Sequence, residues 1–375
     1  MITAEENAAL DLAAAVKHDL VEFGLSDKLA RHLRKCLRSV AGQYTSPDQL
    51  GVAAMEQLLF EYEFDDGTTV IDRFLQESSL NDSKREMIQG FAAGVDSIYE
   101  VLPDRSQSPR DFTVRCCVSD LEHRVAPTLE DAMQNLAPGT FLVGRLNPVA
   151  GTDLWTPSGD TALLPASARP EMAEAALQLA VEQPWKTYRN PERYRKALEH
   201  TEQLHQRFID LHASDMVSTT GQELAELYAE ASVIDGIADE DALAAARDMS
   251  RRTITESHLV DEPQVTLVSH PIAGFGFYVR LDDVNRALHD GNAATTSDLD
   301  ILTEYLQDPD IPQWLLHRLI IENLPTSQEA LQRVLGKPNF SWERDGESWL
   351  ASCPGDPEPG CNHSIAPSIY VESIS

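Results

Sequence analysis

The residues best equipped for chemistry in this chain are few and far apart in sequence. Cys353, Cys361 and His363 offer two thiolates and an imidazole, the ligands zinc prefers, spaced Cys-x7-Cys-x-His. That spacing lacks the Cys-x-x-Cys knuckle, and a fourth ligand would have to come from elsewhere. No cofactor is therefore predicted, and zinc stays a candidate at these three residues alone. Lys186, Arg189, Arg193, Arg195 and Lys196 interleave with Trp185, Tyr188 and Tyr194. Cations alternating with aromatic rings can hold an anion or stack on bases, although the same pattern arises on solvated faces whose cations pair with nearby carboxylates. A second basic cluster, Arg31, Arg34, Lys35 and Arg38, lies opposite Leu29, Leu33, Cys36 and Val40 on one helix. The run from Trp314 to Ile321 is apolar almost all round, so it is either the centre of a core or a surface covered by a partner. In the second case Trp314, Leu315 and Ile320 are the contact residues.

Other constellations carry less. His200, His205 and His212 share a helix, but His205 and His212 are seven residues apart, about 10.5 Å along the axis, too far to share a metal. They flank the Leu204-Phe208-Leu211 stripe and read as core-edge residues. Acidic pairs such as Asp65-Asp66 and Asp282-Asp283 sit where turns and helix first turns favour carboxylates. Gly-x-Ser-x-Gly, a P-loop, Gly-x-Gly-x-x-Gly and His-Glu-x-x-His are absent. Gly274-Phe275-Gly276 reads as a hairpin or bulge rather than a phosphate cradle.

The whole chain limits what these residues can serve. It has 375 residues, enough for two or three domains, with 42% apolar side chains, a globular composition. Sixty-one acidic against thirty basic side chains give a formal charge of −31, a field that repels nucleic-acid backbones and anionic membranes. Residues 1–7 lack the basic start and apolar core of a signal peptide, and no run reaches the ~18 apolar residues of a membrane span. Five cysteines, two of them adjacent at Cys116 and Cys117, do not form a disulfide framework. A cytoplasmic protein, with no membrane partner, is expected.

The elements that must position these groups follow from periodicity and punctuation. Helices are predicted over 3–22, from Ser26 to Val40, and from Pro47 to Phe60, with a short one near 70–75 and one opened by Ser83 to Glu86. Short β-branched or aromatic runs at 98–102, 112–118, 123–127 and 140–146 predict a small twisted sheet or partial barrel, interrupted by a helix near 129–136. Helices return over 171–257, broken at Pro184, Gly221 and Gly236. Strands are predicted at 265–268 and 275–279, then helices over 281–289, 296–307, 312–323 and from Thr326 to Gly336. Residues 352–375, rich in Pro, Gly and Ser, read as an extended strap or a disordered tail. The fold class is α+β, mainly helical, with a small central β-module and a short hairpin region beyond it. The organisation expected is 1–57 helical, 58–168 central module, 169–257 helical, 258–351 α+β and 352–375 tail.

The pieces Phe60 to Thr69, Phe74-Leu75, Ser97 to Val101, Val118 to Leu121 and Gly139 to Val149 resemble the central region of uncharacterised bacterial proteins that often carry a SEC-C zinc motif. The likeness covers about a quarter of the chain and rests on hydrophobic and turn positions. A SEC-C motif needs Cys-x-Cys followed by a Cys-Cys or Cys-His pair, which Cys353, Cys361 and His363 do not supply. The resemblance therefore implies a bacterial source and a scaffold, not an activity. The functional expectation is a non-enzymatic interaction or regulatory protein with a protein partner. The alternative is a metal-dependent enzyme acting on nucleic acid or a phosphorylated ligand. It would bind through the 189–196 island and hold its metal with Asp65, Asp66 or Asp120.

Overall fold

The computed structural model describes residues 2–42, 46–103, 110–128, 133, 136–232, 240–355, 359–360 and 367–374. The chain divides into two units, Met1–Arg193 with Ser364–Ser375, and Tyr194–His363. The class is α+β and mainly helical, as the sequence predicts.

The first unit opens with α1 (Ala4–Gly24), α2 (Ala30–Val40), α3 (Pro47–Phe60), α4 (Val70–Glu77) and α5 (Asp82–Ala92). Thr3 and Thr69 start α1 and α4 by reciprocal capping with Glu6 and Asp72. Leu10, Ala13, Val16 and Leu20 recur at helical spacing on α1 and are buried with Leu58, Leu59, Phe74 and Phe91 of the neighbouring helices. Two expected caps move. Ser26 does not cap α2, which begins after Leu29 with no side-chain cap, and α5 is capped by Asn81 rather than Ser83.

Five strands follow: β1 (Val95–Val101), β2 (Phe112–Cys116), β3 (Glu122–Val125), β4 (Phe141–Pro148) and β5 (Leu154–Leu164). They close fully into a barrel in the order β1-β2-β3-β5-β4, antiparallel except for the parallel β3·β5 pair. Register puts Tyr99 opposite both Cys116 and Leu142, and Val101 opposite Val114, so these buried residues share one face. The expected module runs to residue 168, but its last expected strand is 140–146, so β5, which contains Pro157 and Gly159, is an addition. A register shift between Val143 and Arg145, with Gly144 and Gly159 at positive φ, accommodates them. The helix expected near 129–136 lies mostly outside the described residues.

The helices α6 (Arg169–Glu182) and α7 (Pro184–Tyr188) come next, and α8 (Pro191–His212) runs from the first unit into the second. The second unit continues through β6 (Met216–Thr219), α9 (Gly221–Ala231), α10 (Glu240–Thr255), β7 (Val265–His270) and β8 (Gly274–Val279). It then adds α11 (Leu281–Asp290), α12 (Thr296–Gln307), α13 (Gln313–Glu322), α14 (Thr326–Val334) and α15 (Trp342–Leu350). The predicted hairpin β7–β8 gains β6 as a third antiparallel strand. Leu315, Leu316, Leu319 and Ile320 of α13 are at most 1% exposed and pack with Leu302, Leu331 and Trp342. The tail expectation is corrected at its far end, where α16 (Ser368–Ile374) is helical and belongs to the first unit.

Candidate functional site

The cationic island is divided between the two units, and its described contacts are separate ones. Lys186 is buried, and its ammonium donates to the Asp96 carbonyl at 2.6 Å, while burial holds its pKa below the usual lysine range. Arg189 donates to the Ala93 carbonyl at 2.7 Å. Arg193 is buried and pairs with Asp120. Arg195 and Lys196 fall in the second unit, where Arg195 pairs with Glu199 one helical turn on. Of the three carboxylates considered for a metal, Asp66 and Asp120 are engaged separately. Asp66 closes the 65–68 turn by accepting from Thr68 and pairs with Arg73 at 3.0 Å, and Asp120 accepts from Arg193 and Ser368. Among the described residues no group of three or more His, Cys, Asp or Glu side chains is placed to hold a metal ion. Cys361 and His363 lie outside the described residues. The Cys353 thiol contacts the Trp349 carbonyl at 3.7 Å, and burial pushes its pKa up.

The contact-surface expectation for α13 is corrected at two of its three residues. Leu315 and Ile320 are 0% exposed and form the core of the second unit, so neither can meet a partner. Trp314 is half-buried, stacks on His270 with ring centroids 4.4 Å apart, and borders a cavity of about 230 Å³. Beside it, His205 Nδ1 lies 3.1 Å from Ser269 Oγ, and Asp215 gives both its oxygens to Arg318. A Ser, a His and an Asp thus approach one another. Ser269, however, is 2% exposed, and the Asp215 carboxylate is committed to Arg318, so the cluster ties α8 and α13 to the sheet.

A cavity of about 840 Å³ is also in the second unit, between Gly336–Phe340 and α15. Its Arg344 is held by Asp345 and by the Asn339 carbonyl at 2.7 Å, which neutralises its main charge.

The open apolar surface lies in the first unit. A groove of about 590 Å³ runs between α1, α2 and α3. Lys17, Val21 and Leu25 line it from α1 at four-residue spacing, one stripe away from that helix's buried residues. Leu33 and Leu37 form the α2 wall, and Gly51, Val52 and Met55 the α3 wall. Leu25 is 61% exposed and Val52 40%, while Met55 forms the floor at 9%. A side chain at Gly51 would meet nothing within 4 Å, so this glycine widens the groove rather than permitting a close approach. Gly24 is the opposite case. A methyl there would come within 2.9 Å of Leu59 and Met55, so its absence lets α1 and α3 pack tightly under the groove.

One end of the groove is polar. The Lys17 ammonium donates to Glu56 Oε1 at 2.5 Å and to Ser158 Oγ at 2.7 Å, and lies 4.2 Å from the centroid of the Phe60 ring. Ser158 in turn donates to Glu56 Oε2 at 2.9 Å. Burial lowers the Lys17 pKa, and the Glu56 charge opposes that effect. Three partners for three ammonium protons leave this end closed to a further anion. The rim is basic. Arg34 and Arg38 follow Leu33 and Leu37 by one residue on α2 and are exposed. Each donates through Nε to a carbonyl of its own helix at 3.2 Å, and among the described residues neither has a carboxylate within ion-pair distance.

The sequence marked Arg31, Arg34, Lys35 and Arg38 as a basic cluster but not the groove beside them. The usable signal was a second apolar stripe, Lys17-Val21-Leu25, on a helix whose core face was already complete. No protein-family model, curated protein or solved structure matches the chain. Among the described residues no helix is long and apolar enough to cross a membrane.

Proposed function

We propose that this chain is a non-enzymatic interaction protein whose α1–α3 groove takes an amphipathic helix with an acidic flank from a protein partner. The observation that carries the reading is the open apolar groove, with the exposed Arg34 and Arg38 each one residue beyond its α2 wall residues Leu33 and Leu37. Helix-in-groove recognition needs apolar anchors at i, i+3 or i+4 and i+7, and a groove walled by three helices offers matching ridges. Covering Leu25 and Val52 alone would contribute about 2–3 kcal/mol from apolar area, since each is now only partly exposed. Charge on the flank adds steering and specificity more than affinity. The chain's net charge of −31 repels acidic partners in general, and Arg34 and Arg38 are local cations that would oppose that repulsion beside the α2 wall.

The test is an unbiased selection of helical peptides from a displayed library on the wild-type chain, with Val52→Glu as the counter-target. Enriched sequences should carry apolar residues at helical spacing and Asp or Glu beside them, and should not bind Val52→Glu. Enrichment of basic or unpatterned sequences, or equal recovery on Val52→Glu, would contradict the proposal.

A further inference from the structure

The cavity of about 230 Å³ beside Trp314 belongs to the second unit and shares no residue with the groove between α1 and α3. Its walls come from Gly276 and Tyr278 on β8 and from Pro309, Asp310, Pro312 and Trp314 around the start of α13. Side chains alternate along β8. Phe275, Phe277 and Val279 pack with Phe208 and Leu224, while Gly276 and Tyr278 take the other face, where Tyr278 joins the core around α13. Gly276 places no side chain there, and the Tyr278 ring lies back over it: a methyl at Gly276 would come within 2.6 Å of the phenol oxygen. The Ala273 wall is held by His270, whose Nδ1 accepts from the Ile272 and Ala273 amides at 3.1 Å each.

Two groups on these walls have no partner of their own. Tyr278 is 8% exposed, yet among the described residues its hydroxyl makes no hydrogen bond, which a buried phenol ordinarily does. Burial pushes its pKa up to about 12, so it is a neutral hydroxyl whose oxygen can accept. Asp310 is exposed and donates its backbone amide to Asp308, and among the described residues no cation lies within ion-pair distance of its carboxylate. Among the described residues no Lys or Arg lines the cavity. The nearby His270 ring stays neutral at pH 7, because its Nδ1 is an acceptor and because burial, His205 and Arg318 lower its pKa against the pull of Asp215. The start of α13 opposes with about half a positive charge, less than the full negative charge of Asp310.

We propose that this cavity binds a small organic cation with a primary ammonium group, Asp310 supplying the counter-charge, the Tyr278 oxygen accepting an N–H, and the Trp314 ring attracting the charge. The class follows from the lining, since a carboxylate and two aromatic rings favour a cation and no side chain there would pair with an anion. The volume is below the ~300 Å³ at which drug-sized pockets begin, which restricts the ligand to a small amine. The net charge of −31 adds a long-range attraction for cations.

The probe is n-butylammonium, followed by saturation-transfer NMR on the full chain, with n-butanol and butyrate as neutral and anionic counterparts of the same size. The amine should bind with a Kd on the order of a millimolar, and both counterparts at least about 10-fold more weakly. Tyr278→Phe keeps the ring and removes the acceptor, and Asp310→Asn removes the charge. Each should weaken the amine at least about 3-fold. Gly276→Ala should weaken it as well, by crowding the phenol. Asp11→Asn removes an exposed acid on α1 and should change nothing, which separates the site from general attraction to an acidic chain. No amine binding at about 10-fold above that concentration, butyrate bound as tightly as the amine, no loss in Tyr278→Phe, or equal effects of Asp310→Asn and Asp11→Asn would overturn the proposal.

Discussion

The Lys17–Glu56–Ser158 network should behave as a coupled unit, and a double-mutant cycle can read its strength. The Lys17 and Glu56 side chains are 22% and 17% exposed. That places the pair between a surface ion pair, worth about 0–1 kcal/mol, and a buried one, whose severing costs about 3–5 kcal/mol. Lys17→Met keeps the stem against Phe60 but leaves the Glu56 carboxylate with Ser158 alone, so a loss of about 2 kcal/mol is expected. Glu56→Leu leaves the ammonium with Ser158 and the ring, and should cost about the same. The double variant removes both charges and replaces them with apolar volume, so it should lose far less than the sum, with a coupling of at least about 1 kcal/mol. Hydrogen exchange on peptides from α1 and α3 is the assay, because it reads opening of the first unit apart from the second. Simple additivity of the two single losses would refute the coupled network.

Gly51→Ala should stabilise the first unit by about 1 kcal/mol, since it replaces a helix-interior glycine where no neighbour is met; a melt showing destabilisation would mean the groove is narrower than described. Leu315→Ala should cost about 2–5 kcal/mol, as for a fully buried leucine, and a silent substitution would return α13 to the surface. Burial, with a smaller contribution from Arg189, pushes the His123 pKa down from 6.5 to about 4. The unfolded chain then binds the proton more readily than the folded one. The His123 contribution is therefore complete above pH about 6.5 and is lost as pH falls from there toward 4. An NMR titration of the His123 ring with a midpoint near 6.5 would reject that environment.

Much of the fold was legible because its signals are local. Pro47 before an apolar run gave the start of α3, and Thr295 three residues before Asp298 capped α12 where the sequence placed it. What escaped depends on non-local compensation. β5 contains Pro157 and Gly159, which only a bulge in the partner strand makes tolerable. The helicity of α16 depends on an alanine-floored slot roughly two hundred residues earlier in the chain. The site was less legible than the fold for the same reason. Arg34 and Arg38 were visible as charges, yet that neither has a carboxylate partner among the described residues is a property of the packed molecule. Conversely, Lys186 and Arg193 looked available in sequence because nothing local reveals the Asp96 carbonyl or Asp120 beside them.

The most direct test of the central claim is the affinity of the best selected helical peptide for wild type and for Arg34→Glu/Arg38→Glu. Among the described residues neither arginine supports the fold through a carboxylate, so the variant should melt like wild type. The reading predicts binding weakened at least about 10-fold at low salt, with the gap closing as ionic strength rises and the exposed charges are screened. Equal affinity of the two proteins at low salt would contradict it.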